Sequence, residues 1–456
     1  MVIAGGSYAV FAKPSDRLRD GDLAAEAYPV RKTSGSGEPV LVVNARANYR
    51  YVGQLLLSFD EAGLIRDVDA RAGAYAADAQ GVRDAGNAAP APAVLSVVTN
   101  LAAILDAKDG NRFGRTEVYL NGLRNSVRTE ESNLGNLTAD ANLFRARQTD
   151  PSTTVSLKNG GGIRDSIGGF ASEGGATFPV PPAANPRVGK KAGDISQLDI
   201  ENSLRFNNTL SLLTLTARQL RDTMEWAVAG SGTPGQFPQV SGMQFSFQPA
   251  NKPMTYLRAT NGTPTAIDFA GERLRNLVVI RADDSLDLVV EDGRMMGDPD
   301  RTFRMVTLNF MASGGDIYFA LTQGKDRVDL TPTGTPLVFN PDGGEQRALA
   351  DYLARLGSFG EPDLGSEFDL RVQNLGRRGD AVLAPSLRRI EPASDGTSVF
   401  FRSLPGRRYS LQGKDTLEGP WEALTPQTAG DGTVRLLKDP RPATAAQRYY
   451  RVGILP

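Results

Sequence analysis

"TTVSLKNGGGIRDSI", residues 153–167, places three consecutive glycines and an arginine directly after a β-prone run. Glycine gives up more backbone freedom on folding than any other residue, so three together weaken a strand or a helix. They suit a point where something must come close to bare backbone. The stretch therefore reads as a strand that stops near Asn159, a turn at 160–162 open to a ligand, and Arg164 held beside it.

Three further stretches stand around this one. "RTEESNLGNLTADANLF" (128–144) has Leu137, Ala141 and Phe144 at helical spacing, giving an amphipathic helix that begins near Ser132 with a solvated polar face. Gly135 in its first turn suits close packing, or an anion over exposed N–H groups. "SLRFNNTL" (203–210) leads into a strand, and "TLNFMASGGDIYF" (307–319) ends an apolar strand in Gly-Gly-Asp. Phe206 and Phe310 lie at the edges of these elements, and each taken alone is a candidate for the core. "TLSLLTLTARQLRDTMEWAVAG" reads as a strand and then a helix opened by a Thr216/Gln219 capping box, burying Leu220, Met224 and Ala227.

Composition limits the chemistry. The chain has 456 residues, 40% apolar and 23% charged, which is ample for more than one core. A formal charge of −1 gives no electrostatic case for a nucleic-acid partner. No run approaches the ~18–20 apolar residues of a membrane span. There is no cysteine and no histidine, which excludes thiolate chemistry, Ser-His triads and histidine-bearing metal sites from this chain.

The organisation reads as four segments. Residues 1–80 are short strands and turns, including a hairpin through "DEAG"; the opening "MVIAGGSYAVFA" reads as a buried strand running into a glycine turn. Residues 81–110 are a linker and a helix with Leu101, Ile104 and Leu105 at helical spacing. Residues 111–383 are mixed α/β, with "FPVPPAANPRVGKKAG" as a proline-rich surface loop. Residues 384–456 form a small all-β module, with Trp421 and the tyrosines expected in its core rather than as a sugar platform. The fold class is α+β.

The motifs "RTEESNLGNLTADA", "NGGGIR", "LRFNNTL" and "NFMASGGD" resemble, in order and approximate spacing, the C-terminal domain of the 5′-nucleotidase family. That family includes UDP-sugar hydrolases, ecto-5′-nucleotidases and 2′,3′-cyclic phosphodiesterases. The resemblance covers about residues 95–383. It implies a nucleotide whose base stacks between Phe206 and Phe310, whose ribose hydroxyls meet Asp316, and whose nucleoside contacts Asn159. It implies further that Arg128 and Arg164 face the phosphate, with Gly162 and its neighbours allowing close approach.

In that family catalysis belongs to an N-terminal metallophosphoesterase domain holding two divalent metals on histidines and aspartates. "YRYVGQLLLSFDEAG" is similar to the closing hairpin of such a domain, and Gly5-Gly6 or Gly6-Ser7 stands where its last histidine motif would be. The resemblance thus implies a substrate-binding domain preceded by a short β remnant of the metal domain, with no catalytic residue, metal site or cofactor in this chain. A nucleotide or nucleoside is the expected ligand, and a separate metallophosphoesterase domain a candidate partner. The expected setting is periplasmic or extracellular. The alternative is a non-enzymatic binding or interaction protein that keeps only the pocket.

Overall fold

In the computed structural model the run "TTVSLKN" is a strand, β1 (Thr153–Asn159). It joins β2 (Leu210–Thr216), β3 (Pro238–Ser241), β4 (Thr302–Leu308) and β5 (Lys325–Asp329) in one sheet of order β3-β1-β4-β2-β5. β1 runs parallel to β4 and antiparallel to β3, while β2 is antiparallel to both β4 and β5. β1 and β2 are buried along almost their whole length; β2 accordingly reads as a mainly apolar run, while β1 buries the polar Lys158 and Asn159 at its end. The structure describes all residues except 6, 88, 174–175, 332–338, 340–343, 442–446 and 456, together with the Leu455 backbone only.

The chain divides into two compact units, 1–101 and 102–456. In the first unit, Leu57–Phe59 and Ile65–Val68 pair as a hairpin around the "DEAG" turn, as the sequence suggests. The opening strand is a correction. Val2 and Ile3 pair with Val42 and Val43 but are exposed, and burial starts only at Val10 and Ala12. The glycine pair expected in place of a histidine motif includes residue 6, outside the described residues. The helix Pro92–Gly110 starts in this unit and ends in the next. Its Leu101, Ile104 and Leu105 are exposed, so helical spacing there marks an uncovered stripe and not a core face.

In the second unit, α1 (Asn133–Thr149) is capped by Ser132, whose hydroxyl accepts the Gly135 N–H. Its polar face is not solvated as expected. Asn133, Thr138 and Asn142 are buried along with Leu137 and Ala141, while Phe144 is only half-buried against Tyr352. A Cβ at Gly135 would fall 2.0 Å from Gln239 Oε1, so this glycine serves close packing. α2 (Ala217–Ala227) opens on the Thr216/Gln219 capping box and buries Leu220, Met224 and Ala227. A second sheet, of Met243–Phe247, Leu274–Ile280, Leu286–Glu291, Arg294–Met295 and Val372–Asn374, shares one hydrophobic core with the first. The expected proline-rich surface loop begins inside a strand, Ala176–Val180, and carries a buried anchor. Lys190 lies within 2.7 Å of both Asp109 and Asp199.

Residues 386–455 contain only strands among those described, around a small core of Val399, Phe401, Tyr409, Leu411 and Leu437. Trp421 is not in that core. It sits half-buried with the Lys414 ammonium 4.9 Å and the Arg451 guanidinium 4.5 Å from its ring. Ion pairs of Arg388 and Arg402 with Asp284 tie this module to the second sheet.

One buried ion pair organises the end of β1. Lys158 Nζ meets Glu345 Oε2 at 2.8 Å with both side chains fully excluded from solvent. Glu345 is the first residue of α3 (Glu345–Leu356), and its other oxygen accepts the backbone N–H and side-chain amide of Asn208. Removing one partner of such a pair leaves a buried charge and costs about 3–5 kcal/mol, whereas replacing both by apolar groups is often neutral. Lys158→Met should therefore lower stability by about 3–5 kcal/mol in urea unfolding followed on the second unit. The double variant with Glu345→Met should recover most of that. A single variant within about 1 kcal/mol of wild type would contradict this role.

Candidate functional site

β1 delivers Asn159 to the end of the sheet, where Gly160–Gly162 form a single 3-10 turn. Two of the three glycines are required by the protein's own backbone, a reason for them that the sequence alone does not give. A Cβ at Gly160 would lie 1.8 Å from the Val127 carbonyl oxygen, and one at Gly161 would lie 2.9 Å from Gly235 backbone atoms. Their N–H groups donate to Phe237 O and Gly235 O at 2.7 and 2.8 Å. Gly162 is different, because its nearest neighbour is Asn159 Oδ1 at 3.0 Å.

Asn159 is buried and donates through Nδ2 to Asp316 Oδ2 at 2.6 Å. Its Oδ1 is buried without a hydrogen-bond partner among the described residues, which leaves one acceptor for a donor brought from outside. Asp316 follows β4 and sits in the left-handed region with φ 50°, a conformation that needs support from its surroundings. Trp226 Nε1 supplies it by donating to the Asp316 carbonyl at 2.9 Å.

Phe206 and Phe310 are 58% and 43% exposed, so the reading of either as core fails. Phe310 lies against Gly315, where a Cβ would come within 2.5 Å of its ring. Phe206 carries the Arg164 guanidinium 5.5 Å from its centroid, and the Arg164 N–H donates to Ser203 O at 2.8 Å. The glycine turn is thereby tied to the segment that presents Phe206.

Arg128 is the electrostatic anomaly. Only 7% exposed, it donates one weak hydrogen bond, from Nη1 to Thr233 O at 3.3 Å, and its Nε has no partner. No carboxylate among the described residues pairs with it. Burial pushes its pKa down, as do the like charges of Arg124 and Arg164, and Asp316 only partly opposes them. A guanidinium stays charged regardless, so the site is under-neutralised and favours an anion.

These groups meet in a cleft of about 420 Å³ lined by Arg128, Asn159, Gly162, Arg164, Phe206, Phe310 and Asp316, with Gly161, Asn208 and Gly235. All seven residues singled out in the sequence are there. Asn208, Gly235 and the nearby Arg124 were not. Asn208 stands beside Phe206 in "FNNTL" and could have been found from that position, but Gly235 arrives through tertiary packing of "SGTPG", a stretch with no local signal. Among the lining residues only Asp316 is a carboxylate, and none is a histidine. That donor set does not fit a two-metal centre, and no group of three or more Asp or Glu among the described residues is placed to hold a metal ion.

Residues 112–323 match the family model described as 5′-nucleotidase, C-terminal domain. This part of the chain is a 5′-nucleotidase C-terminal domain. The snake venom 5′-nucleotidase of Naja atra is 28% identical over 66% of this chain and 48% of its own length. The human 5′-nucleotidase is 26% identical over 65% of this chain and 44% of its own. The trifunctional nucleotide phosphoesterase protein YfkN of Bacillus subtilis is 25% identical over 64% of this chain and 16% of its own. The chain thus spans less than half the length of these relatives. Among solved structures, a 5′-nucleotidase precursor from Thermus thermophilus is similar at 25% identity and a TM-score of 0.49, over 82% of this chain and 59% of that one.

Within the 5′-nucleotidase C-terminal domain, the glycine turn makes a sharp prediction. Gly160→Ala, which drives a Cβ into the Val127 carbonyl, should cost about 1–3 kcal/mol or more of stability. Gly162→Ala should leave the melting temperature close to wild type and instead disturb Asn159. A Gly160→Ala protein as stable as wild type would remove the packing account of the turn.

Proposed function

We infer that the cleft binds a nucleoside or nucleotide and serves as the recognition part of a 5′-nucleotidase-type phosphoester hydrolase. The observation that carries this is the meeting of two exposed phenylalanines with an arginine that is buried and lacks a carboxylate partner among the described residues. A base stacked on Phe206 and Phe310 gains ~1–3 kcal/mol per aromatic contact and is accepted with little regard to its identity. Asp316 accepts ribose hydroxyl protons through the oxygen that Asn159 does not hold. Arg128 and Arg164 offer fork-shaped, permanent charges to phosphate oxygens.

Hydrolysis is assigned elsewhere. One carboxylate beside two arginines is suited to holding a phosphate ester and not to activating water against it. The metals therefore come with a metallophosphoesterase domain, joined to this one or separate from it. The same donor set favours a second reading, a binding or interaction protein that recognises nucleotides without hydrolysing them. A periplasmic or extracellular setting is proposed from the venom enzymes among the relatives. No helix among the described residues is long and apolar enough to cross a membrane.

Calorimetry with adenosine and AMP tests the binding claim. Phe206→Ala or Phe310→Ala should weaken both ligands by ~1–3 kcal/mol. Arg164→Gln, at an exposed position, should weaken AMP far more than adenosine. Unchanged affinity in both phenylalanine variants would overturn the reading. Metal-dependent turnover of AMP by this chain, lost on Asp316→Ala, would overturn the assignment of chemistry elsewhere.

A further inference from the structure

Arg128 lines a second cavity as well as the nucleotide cleft. This cavity, of about 300 Å³, also takes in Gly230, Ser231, Gly232, Arg273 and Asn374, and its wall contains two arginines and no carboxylate. Arg273 is held by carbonyls: Nη1 donates to Val228 O at 2.7 Å and Gly230 O at 3.1 Å, and Nε donates to Asn251 O at 3.1 Å. Carbonyls orient a guanidinium without neutralising it, and Nη2 has no acceptor among the described residues. The carboxylate that acts on Arg273 is Glu225, which lies outside the wall and spends its two oxygens on the N–H groups of Arg273 and Leu274.

The loop between α2 and β3 supplies the rest. The backbone N–H groups of Gly230, Ser231, Gly232 and Thr233 donate to no acceptor among the described residues. Successive free N–H groups in a turn make an anion cradle. Arg128 adds a third element, because it is more than nine-tenths buried and its Nε is unsatisfied. A buried cation without a counter-ion is costly, and an anion at this point relieves it.

The geometry points to a second anion site in this cavity, where a phosphate-class oxyanion lies between Arg128 and Arg273 and is capped by the N–H groups of residues 230–232. Phosphate fits better than a carboxylate because its tetrahedral oxygens reach two forks and a backbone cradle together. Arg128 faces both cavities, so the two sites compete for one guanidinium and their anions repel each other. Occupancy by phosphate therefore weakens a ligand that brings its own phosphate to the cleft and leaves a neutral nucleoside untouched. In a phosphoester hydrolase this is product feedback. The feedback rests on the nucleotide reading, and the phosphate site does not.

The experiment titrates inorganic phosphate into the full chain by calorimetry and ³¹P NMR, with adenosine and AMP as reporters. Saturable binding should weaken about tenfold or more in Arg273→Gln while adenosine affinity stays within about twofold. Ser231→Asp, at an exposed position on the rim, should also weaken phosphate without lowering the melting temperature, which covers the case where Arg273→Gln fails to fold. Phe310→Ala should leave phosphate binding unchanged. Saturating phosphate should weaken AMP several-fold and adenosine not at all. Phosphate binding that is absent, insensitive to Ser231→Asp, or lost through Arg164→Gln while Arg273→Gln retains it would overturn the second site. Arg273-dependent phosphate binding in a protein that ignores adenosine would support this site and overturn only the nucleotide reading.

Discussion

The buried Lys158–Glu345 pair is the constraint on which the cleft depends. Lys158 is the last residue of β1 before Asn159, so a charge fixed in the interior sets where the strand stops and which side chain comes next. Glu345 uses its second oxygen on Asn208, another lining residue. Asn159 then holds Asp316 from the end of β4. Three lining residues from three parts of the chain are positioned by two sets of charge-assisted contacts that start from adjacent residues of β1, in a region of low dielectric where such contacts are strong. An ion pair this deep adds little net stability, and its contribution here is positional.

Around that fixed frame the charges are left out of balance. Arg128 is desolvated without a carboxylate among the described residues, Arg164 leans on a ring, and Asn159 keeps an unsatisfied acceptor. The first and the last cost the free protein stability, and a ligand that carries an anion and hydrogen-bond donors would relieve both. The apolar element is equally pre-set: Phe310 rests on bare Gly315 and cannot sink into the core.

Much of this was legible in the sequence, and the failures have physical causes. The capping box at Thr216/Gln219 was readable because its hydrogen bonds are local. The seven cleft residues were readable because they fall in four compact motifs. The reason for Gly160 and Gly161 was not readable, because their neighbours, Val127 and Gly235, are distant in sequence. The buried polar face of α1 was misjudged for the same reason, since Asn133 is covered by its bonds to the Tyr119 and Glu361 carbonyls and not by an apolar pattern. Lys190 and Trp421 show the converse: a lysine in a proline-rich stretch is buried by two aspartates, and an aromatic assigned to a core stands between two cations.

The most direct measurement of the account is a crystal structure of the chain soaked with AMP. The base should lie between the Phe206 and Phe310 rings, a ribose hydroxyl should donate to Asp316, and the phosphate should meet Arg128 and Arg164. A base seated away from both rings, or a phosphate with no arginine contact in this cleft, would contradict it.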